Sequence, residues 1–124
     1  APAAARGTKT VPEVVLLERP RVFLVDRPDA EQAFILAGHP IPSSRSPKAL
    51  ETDSALTVIG GLFTSRLNMN LREDKGWSYG SYAFSNPARY QRPMLVFAPV
   101  QTDRAVDSLK ELKRDSTSYV PSYI

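Results

Sequence analysis

Between residues 60 and 80 the chain allows few backbone courses. Gly60 and Gly61 open the stretch, Gly76 interrupts it and Gly80 follows. Phe63, Leu67 and Leu71 recur every fourth residue, the spacing of one apolar stripe on a helix. Thr64 or Ser65 can cap the start of that helix by accepting a hydrogen bond from a free N–H. Gly76 stands where a left-handed C-terminal cap is wanted, and Lys75 places a cation in the last turn, where the helix dipole favours one. Trp77 then opens a strand. Arg72 lies near the helix end and Tyr79 seven residues on, so a cation and a phenol meet at a helix-to-strand corner.

Around this corner the chain divides into short elements. Residues 1–20, with Pro12 and Pro20, read as a linker or extended lead-in, of which residues 14–17 are apolar enough to dock on a domain surface. Residues 21–26 and 31–38 read as two strands joined by a turn at 27–30. The serine and proline at 46 and 47 predict a helix over 47–59, stopped by Gly60. Residues 77–85 predict a third strand, with a bulge or twist at Gly80 where the aromatic parity changes. Residues 94–100 form a near-continuous apolar fourth strand, and Thr102 with Asp103 caps a last helix whose Val106, Leu109 and Leu112 share a face. The order β-β-α-α-β-β-α predicts an α+β fold, a two-layer sandwich with a mostly antiparallel sheet and helices on one face.

Composition excludes several functions. There is no cysteine among the 124 residues, hence no disulfide framework, thiolate metal site or cysteine nucleophile. No apolar run reaches the roughly 20 residues of a membrane span. The net charge of +3 comes from scattered Lys and Arg, which is no nucleic-acid footprint. Catalytic zinc needs three protein ligands, and the one histidine, His39, sits in an expected loop, so no metal site is expected in this chain. No serine stands in a nucleophile-elbow pattern, and Gly60 and Gly61 lack the lysine of a phosphate loop.

The run Ser65, Arg66, Leu67, then Leu71, Arg72, Glu73, then Lys75, Gly76, and Ser78, Tyr79, Gly80 resembles the second-domain signature of the pitrilysin/insulinase family of zinc peptidases, which includes the mitochondrial processing peptidase. The resemblance is dense over residues 60–82 and looser over 22–112. It implies a partial processing-peptidase-like domain over residues 21–124. In that family zinc is held by a different domain on an inverted H-x-x-E-H helix. The domain resembled supplies an arginine and a tyrosine that bind the peptide backbone and stabilise the tetrahedral intermediate; at the matching positions these are Arg72 and Tyr79. The implied partners are a sister zinc-binding domain or subunit and a peptide substrate, with the chain alone inactive; a face normally covered by that sister and left bare predicts a homodimer or weak self-association. From the residues alone, Arg72 reads as a surface cation paired with Glu73 or Asp74, and Tyr79 as a packing aromatic. Other roles for the same fold are assembly without catalysis, as in the core proteins of the respiratory cytochrome complex, and peptide binding.

Overall fold

The computed structural model describes residues 7–117. Its elements are strand β1 (Gln32–Ile41), helix α1 (Ala49–Leu56) with a wide-turned continuation (Thr57–Gly61), helix α2 (Arg66–Asn68) with a longer one (Met69–Asp74), strands β2 (Tyr82–Ser85) and β3 (Arg92–Gln101), and helix α3 (Ala105–Thr117), entered through a tight turn at Thr102–Arg104. The sheet order is β1-β3-β2 and both pairings are antiparallel. Gln32 faces Gln101 at one end of the long ladder, and Ile41 faces Arg92 at the other.

Strand alternation decides the layers. Ile35, Ile41, Ala83, Val96, Ala98 and Val100 point to one face and pack with Leu56, Leu67, Leu71 and Leu112 from the helices. Leu67 and Leu71 are fully buried, each contributing about 1.5–3 kcal/mol by leaving water. On the opposite face Phe34, Leu36, Tyr82 and Phe84 are exposed, with Phe34 stacked on Phe97 at 5.9 Å. The helices therefore cover one side of an antiparallel sheet, the α+β arrangement expected.

The closest approach between the layers is made without a side chain. A Cβ on Gly60 would overlap the backbone nitrogen of Ala83 and stand 2.6 Å from its Cβ. At the other end Arg92, buried at 2% exposure, reaches Asp53 of α1 at 2.8 Å and donates to the Pro42 carbonyl at 3.1 Å. Proline interrupts β3 twice, at Pro93 and Pro99, although β3 is the central strand. Both prolines lie outside the stretch opposite β2, which runs from Met94 to Phe97. There β3 has a ladder neighbour on one side only, so the missing N–H removes little.

Several expectations are corrected. Residues 21–26 are not a strand: Val22, Phe23, Leu24 and Val25 are 82–93% exposed and pair with nothing among the described residues. An apolar run becomes a strand only where a neighbour offers a ladder, and β1 pairs with β3 instead. β1 extends through His39, Pro40 and Ile41, which the glycine and prolines mark as loop. His39 is exposed as expected, but faces Met94 across the ladder. Ser65 holds the N-cap position of α2 without a side-chain cap bond, and Phe63 falls before the helix at 57% exposure. On α3 the buried face is Ser108, Leu112 and Asp115, whereas Val106 and Leu109 are 69% and 46% exposed.

The buried polar face of α3 meets the second helix through Asn70, whose amide donates to Glu111 at 2.9 Å and Asp115 at 2.8 Å. Arg114 and Lys75 flank Glu111 at 2.6 and 3.8 Å. The Asn70 hydrogen bond, followed by these two cations, holds the Glu111 carboxyl below its ordinary value of 4.5, against an opposing effect of burial. A depressed folded-state pKa means stability that is fully present above about 4.5 and lost as pH falls through the depressed value. The urea midpoint of the parental chain should therefore fall more between about pH 6 and about pH 3 than that of Glu111→Gln; equal falls would remove Glu111 from the acid response.

The glycine pair yields a second test. Gly60→Ala should lower stability by about 1–3 kcal/mol, because the methyl has backbone rather than a flexible side chain to displace. At Gly61 an added Cβ meets only the Thr57 side chain, at 3.4–3.5 Å, and alanine is the better helix former. Gly61→Ala should leave the denaturation midpoint unchanged or raise it, and a larger loss at Gly61 than at Gly60 would contradict the packing described.

Candidate functional site

The helix-to-strand corner is fixed by main-chain bonds. The N–H of Lys75 donates to Asn70 and that of Gly76 to Arg72, at 3.1 and 3.0 Å. Gly76 takes φ 64, the left-handed cap its position requires. The N–H groups of Trp77 and Ser78 both donate to the Leu71 carbonyl, at 2.8 and 3.2 Å. Ser78 then bridges to Val100, and the Trp77 carbonyl accepts from Gln101 at 2.9 Å.

Between Ser78 and β2 the expected bulge is present. Four steps along the chain from Ser78 to Tyr82 match only three from Val100 to Phe97, so one residue is extra. The bulge frees backbone donors from the ladder, and buried side chains satisfy them. Gly80 N–H donates to Ser78 Oγ at 3.1 Å and Ser81 N–H to Asn68 Oδ1 at 3.1 Å. Ser78 Oγ donates to the Pro99 carbonyl at 2.6 Å, and Asn68 donates to the Phe63 carbonyl at 2.7 Å. Asn68 is 1% exposed and Ser81 fully buried. No sequence motif singles out Asn68 or Asn70 as core residues, and the structure buries both, Asn70 at 8% exposure. The available signal is position: Asn68 lies about 60° round the helix from Leu71, beside the stripe of Leu67 and Leu71 rather than opposite it.

The two residues singled out by sequence stand as follows. Tyr79 sits at the bulge with its side chain in solvent, 84% exposed. It lines a shallow cleft with Gln32, Gly76, Trp77, Ser78 and Gln101. At about 110 Å³ this cleft is well below the roughly 300–1,000 Å³ that encloses a ligand, so it is a contact shelf. Arg72 lies in the wide-turned continuation of α2, its guanidinium 4.4 Å from the centre of the Phe63 ring and its Nε 3.5 Å from Glu73. Among the described residues no hydrogen bond, ion pair or ring contact joins Arg72 to Tyr79. Trp77 receives cations that sequence reading does not assign, Lys75 at 5.0 Å and Arg104 at 5.7 Å from its ring centre. The corner thus presents an exposed phenol beside a positively charged aromatic shelf.

Among the described residues no group of three or more His, Asp or Glu side chains is placed to hold a metal, and no helix is long and apolar enough to cross a membrane.

A family model described as the peptidase M16 inactive domain matches residues 5–115. No curated protein matches the chain. Among solved structures, the crystal structure of a peptidase M16 inactive domain from Pseudomonas fluorescens is similar, with a TM-score of 0.69 at 20% identity. The match covers 73% of this chain and 22% of that one, so the chain spans about a fifth of the length of the structure it resembles. With most of its length inside the family match, and with the sheet and helices of that fold, the chain belongs to the peptidase M16 inactive-domain family, the second, non-catalytic domain of pitrilysin/insulinase-type peptidases.

Proposed function

We propose that this domain contacts peptide substrate for a zinc-dependent peptidase whose zinc is held by a sister domain or partner subunit. The observation that carries this reading is the exposure of Tyr79. A tyrosine kept for packing is buried through its ring. Here a bulge supported by Asn68 and Ser78 lifts the ring out of the ladder and leaves it 84% exposed. Its hydroxyl is a donor with no protein partner among the described residues.

Arg72 supplies the second donor. Its pairing with Glu73 at 3.5 Å joins side chains 36% and 42% exposed, a screened contact that an arriving carbonyl or carboxylate can replace. A scissile carbonyl becoming an oxyanion is stabilised by donors already in place, and a phenol and a guanidinium both provide them. Peptide hydrolysis would take place in a chamber between this domain and its zinc-bearing sister, with Lys75 and Arg104 making the wall near Trp77 electropositive.

A second reading, assembly without catalysis, is favoured by the bare outer face of the sheet, where Phe34 and Leu36 are 64% and 68% exposed. A sister domain or a second copy covering that face removes apolar surface from water whether or not the enzyme is active.

In the complete two-domain enzyme, Tyr79→Phe should lower kcat more than it raises KM, by about 10²–10³ if it supplies one preorganised oxyanion donor. Arg72→Ala should weaken both binding and turnover. Neither change should shift the denaturation midpoint of the domain by more than about 1 kcal/mol equivalent, since both tips are outside the core. Parental peptide hydrolysis by both variants would leave only the assembly reading.

The isolated chain should hold no stoichiometric zinc at neutral pH, because one imidazole cannot complete a site. Elemental analysis showing one zinc per chain, lost on His39→Ala, would contradict this.

A further inference from the structure

At the far end of the β1–β3 ladder from Tyr79, some six residues or roughly 20 Å away, the outer sheet face holds a groove that already contains a piece of main chain. Its floor is apolar: Leu36, Pro40, Pro93 and Leu95, with Gly38 contributing no side chain. Gln91 stands at its rim. The Gln91 carboxamide accepts from the Val14 N–H at 2.6 Å and donates to the Val14 carbonyl at 3.1 Å. Both bonds go to the backbone of one residue, 77 positions away. An N–H and a C=O offered by the same residue is what one extended strand presents to its antiparallel neighbour.

We propose that this groove is a seat for an extended apolar peptide segment, recognised through its main chain by Gln91, and that the chain's own Val14 occupies it in cis. Three observations make the occupant a peptide backbone and make it exchangeable. The recognition is blind to side-chain identity, because neither bond touches one. About 470 Å³ of the groove stays open beside Val14, which lines it and remains 56% exposed. The neighbouring Val15, Leu16 and Leu17 are 85%, 55% and 59% exposed, and the Gln91 pair is the one hydrogen-bonded anchor of residues 7–20 among the described residues. A cis segment held at one residue competes weakly with a strand of the same chemistry supplied in trans. This site is separate from Arg72 and Tyr79, so it stands or falls independently of their role.

The test uses the 124-residue chain and a fluorescein-labelled peptide copying residues 10–18, followed by anisotropy. Val14→Pro deletes the N–H that Gln91 accepts, which empties the cis seat without touching the core. The peptide should bind the Val14→Pro chain about tenfold more tightly than the parental chain, since the competing occupant is gone. Adding Gln91→Leu should return the affinity by about tenfold or more, and a peptide N-methylated at its copy of Val14 should bind about tenfold more weakly than the unmodified one. The methylated peptide needs no variant to fold, so it keeps the test decisive. Equal binding with and without Gln91, equal binding of the methylated peptide, or no binding at millimolar concentration would overturn the proposal. So would a Val14→Pro chain that dimerises and takes up no peptide, which would assign the groove to a second copy.

Discussion

The Leu71 carbonyl, accepting from both Trp77 and Ser78, is the bond on which the arrangement of the corner depends. It ties the end of a buried helix to the start of a strand and sets where the chain meets β3. From there the bridge of Ser78 to Val100, the extra residue before β2 and the outward course of Tyr79 follow in turn. Leu71 can hold that place because its own side chain is fully buried beside Leu67. Packing therefore positions a backbone acceptor, and the acceptor positions the strand. The continuation Met69–Asp74 is wider than an α-helix, so its carbonyls are not all consumed within the helix, and such widened turns are enriched at functional sites.

How much of this could be read from residues depends on whether the determining interaction is local. Gly76 is legible because a left-handed cap is a property of one residue and its neighbours. The bulge near Gly80 is legible because aromatic parity changes across it. The inward face of β3 follows from alternation alone. By contrast, residues 21–26 carry every mark of a strand except a partner, and a partner is not a local property. The buried face of α3 departs from its apolar pattern for a related reason. Val106 and Leu109 look like its core stripe, but the helix turns Ser108, Leu112 and Asp115 inward, and Asn70 offers Asp115 a donor there. Polar pairing across two helices overrode the apolar pattern, and no count along one helix can reveal that. Arg72 and Tyr79 stood out only through family resemblance; their geometry now shows an exposed phenol and a half-exposed guanidinium stacked on Phe63.

The domain divides its work between two faces. The helical side holds the core and the buried network of Asn68, Ser78 and Ser81, which fixes the backbone around Tyr79. The outer side of the sheet is apolar, open around Phe34 and Phe84 and touched by Val14 at its other end. Membership of a family of inactive peptidase domains fits this division: a face without metal ligands can still shape a surface that another domain completes.

The prolines of β3 have a consequence beyond the folded state. A domain that leaves so much aliphatic surface in water would be expected to aggregate through cross-strand stacking. Self-templating segments need about six or seven consecutive residues able to exchange backbone bonds. Pro93 and Pro99 leave only residues 94–98 between them, one short of that length. Pro12, Pro20 and Pro28 bracket the exposed runs near the start of the chain, with Glu13, Arg19, Arg21 and Asp26 just inside those limits. Charges and prolines at the ends of apolar runs act as gatekeepers. Pro93 and Pro99, which complicate the sheet, thus keep β3 from recruiting copies of itself.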